Sequence, residues 1–405
     1  MTEKSELFAP KVGKSEYGKI TEEALEKLRS RIGVERVTAR EDWEIDDMRF
    51  TRAHIRRLAF AFGDYNPLYL DMEYAKKSPY GNIIALPGVL QSNEQINAAR
   101  DGMPGMHALF RGLTMEWKQP MFMGEVLLGK TYLRDVKVIE SKLSRQSVIQ
   151  DYESIGLNEQ GEIKGILRTS WSRHERTAAK GSTSKKNVRS LGNYTPEEYE
   201  NIKQHYRQQV RRGAEPRYWE DVEVGEELPK VVKGPTNPSQ RMVGEGSGGA
   251  MAPVRIGSSG DWGVAHAQFW KLFERHPGLP IITEQGIPEQ PFVIHNSNER
   301  AQRYLGLAGG YEAGAQRVHW TVQIVTDWQG DHGFLRKMTI KFPAFFLMGD
   351  CAWCGGKVSG KRVEDNKHIV ELDLWNINQL DIVGTEASAE VVLPSRSNPN
   401  AKMWE

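Results

Sequence analysis

The chain has 405 residues and a mass of 45.9 kDa, which at roughly 100–200 residues per domain predicts two or three domains. Its 54 Lys and Arg nearly balance 53 Asp and Glu, so there is no basic excess of the kind that nucleic acid or an anionic membrane attracts. Two cysteines exclude a disulfide scaffold, and 11 Trp, 13 Tyr and 13 Phe exclude disorder over most of the length.

Met1 to Ile20 carry no apolar signal core, and no run of about 18 apolar residues occurs, so a cytoplasmic protein is expected. Residues 52–62 place Ile55, Leu58, Ala59 and Phe62 on one helical face. Pro87 and Gly88 then open a second helical stretch, VLQSNEQINAA. Four strands follow at 108–117, 125–138, 146–157 and 163–171, the last two joined by the turn-rich GLNEQGE.

Residues 177–212 are polar and lysine-rich and read as a linker. Within it Thr195, Pro196 and Glu197 form a helix start: a capping hydroxyl, a proline at the first position and an acid in the first turn. Beyond the linker, residues 315–328 place Val318, Val322, Val325 and Trp328 on one face. Four more strands are expected at 334–342, 350–358, 368–375 and 387–392.

The order of features repeats. Gly63-Asp64-Tyr65 has a counterpart in Gly260-Asp261-Trp262, and KQPMFMGE has one in KFPAFFLMGD. A helix followed by an antiparallel meander, twice over, predicts an α+β architecture of two sheets, each wrapped around a helix. The expected division is 1–176, a linker at 177–215, and 216–405.

The segment FGDYNPLYLDMEYAKKSPYGNIIALPGVL carries Asp64, Asn66, Pro67, Leu68, Asp71, Ala75 and Gly88 in the spacing of the MaoC-like hydratases. The chain resembles a double hot-dog member of that family, with two similar halves joined by the linker. EDVEVGEEL resembles the opening strand of the second half, and VTDWQGD resembles the end of its helix.

The resemblance implies an aspartate and a histidine in D-x-x-x-x-H spacing that activate one water for addition to a trans-2-enoyl thioester. The chemistry asks for a base to take a proton from water, an acid to protonate the α-carbon, and an N–H to hold the thioester oxygen. In the first half the histidine position is Tyr69, whose phenol is a poor base at neutral pH. That half is expected to be non-catalytic. Asp64, Asn66, Tyr69 and Gly88 are then candidate pocket residues, with His319 of the second helix as another. The second half restores the pair as Asp261 and His266, with Gly314 as the candidate donor to the thioester oxygen.

Other motifs carry less. Cys351 and Cys354 form a C-x-x-C with no second pair to complete a zinc site, and read as buried strand thiols. GEGSGGAMAP lacks the lysine and hydroxyl of a phosphate-binding loop and reads as a flexible loop near the site. Arg52, Arg56 and Arg57, and Lys185, Lys186 and Arg189, read as solvated faces, with contact to coenzyme A phosphates as the alternative.

The expected function is hydration of an enoyl-CoA or the reverse dehydration, with no metal and no cofactor beyond the coenzyme A of the substrate. The insertion at 272–309 suggests a pocket wall suited to a bulky acyl group. An inactive acyl-CoA-binding subunit and an acyl-CoA thioesterase are the alternatives. Neither nucleic acid nor membrane is an expected partner, and homodimer and hetero-oligomer both stay open.

Overall fold

The computed structural model describes residues 19–36, 48–93, 103, 105–141, 145–175, 194–237, 281–282, 288–289, 291–305, 307–399 and 402–404. Helix α1 (Glu22–Arg29) starts where the Thr21 side chain accepts from Ala24 N. It buries Leu25 and Leu28 against Leu133, Val148 and Tyr152. Two short strands, β1 (Glu35–Arg36) and β2 (Met48–Arg49), pair with a later strand.

Helix α2 (Arg52–Phe62) begins with the Thr51 hydroxyl accepting from His54 N and buries Ile55, Leu58, Ala59 and Phe62, the face its spacing predicted. Gly63 ends it at φ 63°, a left-handed turn that glycine takes without the strain of a Cβ. Two single-turn helices follow, α3 (Pro67–Leu70) capped by Asn66 and α4 (Met72–Lys77) capped by Asp71. The described part of the second expected helix is a 3-10 helix, Pro87–Asn93.

Strands β3 (His107–Trp117), β4 (Val126–Ser141), β5 (Arg145–Leu157) and β6 (Ile163–His174) complete the first half. The linker supplies α5 (Pro196–Arg207), with Thr195 and Glu198 forming the reciprocal capping pair. The expected opening strand at 220–228 is instead a 3-10 turn, Trp219–Asp221, plus a single bridge from Glu227 to Lys357. The strand comes later, as β7 (Val231–Lys233). Proline and glycine punctuation around EVGEELPK favours turns over a continuous ladder.

The ribbon β8 (Ile281–Ile282) and β9 (Pro288–Glu289), a 3-10 helix at Pro291–Asn296 and α6 (Asn298–Leu305) fall within the insertion. Helix α7 (Gly314–Gln329) has every residue from Ala315 to Gln329 buried. It is followed by β10 (Phe334–Lys341), β11 (Ala352–Glu364), β12 (Lys367–Asn378) and β13 (Val383–Leu393).

The antiparallel sheets of the two halves join edge to edge into one of 11 strands, in the order β1-β4-β5-β6-β3-β10-β13-β12-β11-β7, with β2 on β4. The first long strands of the two halves, β3 and β10, pair antiparallel, with Thr114 opposite Thr339 and their hydroxyls 3.0 Å apart. The halves match around that pair. The irregularity between Phe110 and Gly112 in β3 has its counterpart between Leu335 and Lys337 in β10. At this junction Gly112 lies against the Ile340 carbonyl, where a Cβ has no room.

The inner face of the joined sheet packs on α7 and α2. Leu113, Met115, Trp117 and Leu167 from the first half share one core with Met338, Ile340, Leu372 and Val391 from the second.

Candidate functional site

After the Gly63 turn the chain buries Asp64, whose Oδ1 accepts from Asn66 N at 3.2 Å. The Asn66 side chain in turn accepts from Leu68 N at 3.0 Å and starts α3, which buries Tyr69. The local turn expected of Asp64 and Asn66 is therefore present. Two cations from beyond the first half complete the cluster. Arg211, just after α5, donates from Nη2 to Asp64 Oδ1 at 3.1 Å and from Nε to Asp327 Oδ1 of α7 at 2.5 Å. Lys233 of β7 donates to the carbonyls of Phe62 at 2.8 Å and Gly63 at 3.0 Å, and to Gln323 Oε1 of α7 at 2.5 Å. Gln323 donates onward to Asp327 at 3.2 Å.

Burial pushes the Asp64 carboxyl up to about 6, the nearby Asp327 charge adds to it, and Arg211 and Lys233 oppose it. Asp327 is raised by the same burial, against Arg211. Burial and the Asp64 charge also raise the Tyr69 phenol, taking it further from use as a base. Sequence reasoning missed Arg211, Lys233 and Asp327. The one available signal was a charged residue inside apolar runs, VVK at the end of β7 and IVTDW in α7.

Asn66 and Tyr69 line a cavity of about 30 Å³ with Trp117, Thr326 and Gln329. That volume suits water rather than an acyl thioester. Gly88 and His319, expected in a pocket, are packed against each other instead. A Cβ on Gly88 would lie 2.6 Å from His319 Nδ1. The imidazole stacks on Phe62 with ring centroids 3.6 Å apart. Burial, with Lys233 adding, drives its pKa down to about 3, so it is neutral at ordinary pH.

In the second half Gly314 is the first residue of α7. The amides of a first helical turn have no carbonyl partner inside the helix and point outward from its positive end. A Cβ on Gly314 would come 2.6 Å from Phe110 of β3, so glycine lets that ring close on the helix start. Below it Glu312 and Arg317 form a buried ion pair at 2.7 Å. Arg317 also donates to the carbonyls of Ala344 and Gly384 and lies over the Phe342 ring at 4.4 Å. These contacts fix the direction of the helix start. Phe110, Phe342 and Arg317 line a cavity of about 810 Å³ that also touches Leu113, Tyr152 and Thr169.

Asp261 and His266 lie outside the described residues, as do the GEGSGGAMAP loop and Lys185, Lys186 and Arg189. Arg52, Arg56 and Arg57 are exposed, as a solvated face requires. Cys351 and Cys354 are buried, and burial pushes both thiols up to about 12, so neither is a ready nucleophile. No described helix is long and apolar enough to cross a membrane.

Comparison with known proteins agrees with this architecture. The family model "FAS1-like, dehydratase domain region" matches residues 40–163. Among solved structures, a MaoC-like dehydratase superposes with a TM-score of 0.61 at 16% identity, covering 91% of this chain and 100% of that one. A putative MaoC domain protein dehydratase from Chloroflexus aurantiacus gives 0.53 at 9% identity, covering 87% and 94%. A conserved hypothetical protein from Mycobacterium tuberculosis, described as having a double hotdog fold, gives 0.52 at 9% identity, covering 87% and 94%. A search of curated proteins returns no match. The fold is a double hot-dog. The family model bears on residues 40–163, and the likeness of the whole chain to these structures is one of fold.

Proposed function

We propose that the chain adds water across the double bond of a trans-2-enoyl-CoA, or removes it from the 3-hydroxyacyl-CoA, with the chemistry in the second half. The observation that carries this reading is the start of α7. There Gly314 sits against Phe110, which lines a cavity of about 810 Å³, and the Gly314 amide is assigned as the donor. Such amides stabilise the negative charge that builds on a thioester oxygen when hydroxide adds at the β-carbon. Asp261 and His266 are assigned to the water, one proton going to the base and one being returned to the α-carbon. The resemblance assigns the (R) configuration to the product.

The first half supports this division of labour. Its Asp64 is bridged to Arg211, its Tyr69 is a poor base, and its cavity holds about 30 Å³. Ile294, Ala301 and Leu305 of the insertion cluster with Tyr311 and Leu347, and the insertion is assigned to the wall of a pocket for a bulky acyl group.

The test follows loss of the enoyl thioester absorbance with the purified chain. His266→Ala is expected to lose at least about 100-fold in kcat, and equal activity would overturn the assignment. Release of free thiol from a saturated acyl-CoA, without hydration, would point instead to a thioesterase.

A further inference from the structure

Counting outward from the Thr114–Thr339 pair, the two halves can be compared position by position. Leu113 pairs with Thr169, which pairs with Tyr152; the matching row is Met338, Ala389 and Leu372. In the next row Phe110, Trp171 and Gln150 correspond to Leu335, Val391 and Val370. On the other side Ser154 corresponds to Leu374. The inner face of the first half is thus polar where that of the second half is apolar, and Gln150, Tyr152, Ser154 and Thr169 are all buried.

Some of these polar atoms are satisfied within the protein. Ser154 bonds Thr131 at 2.7 Å, and Gln150 Oε1 accepts from Arg173 Nε at 2.9 Å. Others are not: among the described residues, Gln150 Nε2, Thr169 Oγ1 and both amide atoms of Gln91 are buried without a hydrogen-bond partner. Gln91 belongs to the 3-10 helix that packs on this face, where its neighbour Leu90 covers Gly165 of β6. Leaving such atoms unpaired is destabilising. The second half shows that the same scaffold closes with apolar residues at the matching strand positions.

The patch is continuous with the site at α7. Gly314 touches Phe110, and Phe110 stacks on Trp171 with centroids 4.6 Å apart. Trp171 stands opposite Gln150, with Thr169 two residues along the same face, and Thr169 lines the same cavity as Phe110.

We propose that this patch recognises hydroxyl or carbonyl oxygens on the acyl part of the substrate, on the order of 10 Å (two strand spacings) beyond the thioester. The amides of Gln91 and Gln150 donate to a carbonyl oxygen, Gln91 Oε1 accepts from a hydroxyl, and Thr169 does either. The inference rests on the placement of the thioester at Gly314 proposed above, and it replaces a merely bulky acyl group by an oxygenated one.

The experiment measures binding of octanoyl-CoA and of its ω-hydroxy and ω-oxo counterparts, none of which can be hydrated. The wild type is expected to bind an oxygenated ligand at least about tenfold more tightly than the plain one, because a site with unpaired polar groups rejects the analogue that cannot satisfy them. Thr169→Val and Gln91→Leu are expected to bring that ratio to within about threefold. Neither residue makes a side-chain hydrogen bond to a described residue, so both variants are expected to fold, with melting temperatures at or above that of the wild type. Equal binding of the three ligands by the wild type, as when water fills the patch, overturns the proposal. So does a preference that survives in both variants. Hydration of trans-2-octenoyl-CoA is measured separately. Hydration without an oxygen preference sinks only the patch. A clear preference without hydration sinks only the hydratase reading.

Discussion

A carboxyl that is both buried and close to a second carboxylate resists ionisation, and Asp64 meets both conditions. Its value of about 6 stands above the usual carboxylate range, near 3.9. The stability linked to this group is therefore fully present below about pH 4 and is lost as pH rises through about 6. An asparagine keeps the oxygen that accepts from Asn66 N and Arg211 but cannot ionise. Asp64→Asn is expected to match the wild type near pH 4 and to exceed it by on the order of 2 kcal/mol at pH 7.5. Urea unfolding at both pH values checks this. A variant less stable than wild type at pH 7.5 would mean that the Arg211 pairing outweighs the burial of charge. Hydration should persist in the same variant, because the chemistry is assigned to the other half.

At the scale of elements, contact between Gly88 and His319 brings the 3-10 helix Pro87–Asn93 onto α7. A methyl group at Gly88 has to displace a ring that is already clamped on Phe62. Gly88→Ala is expected to destabilise by about 1–3 kcal/mol, as overpacking does. Adding His319→Ala should recover part of that loss, a coupling that a double-mutant cycle measures. Purely additive effects would show that the close contact carries no energy.

The same elements show what a sequence can and cannot reveal. The long strands and α7 were legible in place and order, with strand ends off by up to six residues, because alternation and the Val318, Val322, Val325 and Trp328 stripe are local patterns. Pairing of β3 with β10 was not legible, since register between halves leaves no mark in the periodicity of either strand. Nor was the role of Arg211, which in sequence is one cation among many in a polar linker. The Tyr69 substitution was legible, and the structure adds that its neighbour Asp64 is bridged across to α7.

At the scale of the molecule, the continuous sheet and the shared core predict that the two halves unfold together. Lys233 is the cross-brace in this arrangement. It belongs to β7 and holds the end of α2 through two carbonyls and α7 through Gln323. Burial lowers its pKa, while Asp64, Cys354 and Asp327 favour its charge. Lys233→Met removes that cation and leaves two buried carboxyls facing Arg211 alone, which predicts a loss of roughly 3 kcal/mol. An exposed pair such as Arg134 with Glu153 at 2.7 Å is the contrast: Arg134→Gln should cost less than about 1 kcal/mol. In calorimetry the wild type and both variants should each show one transition, shifted downward mainly in Lys233→Met, because β3 and β10 stay paired. Two resolved transitions in the wild type would show that the halves are separate folding units, and the brace would then be an interface contact between them.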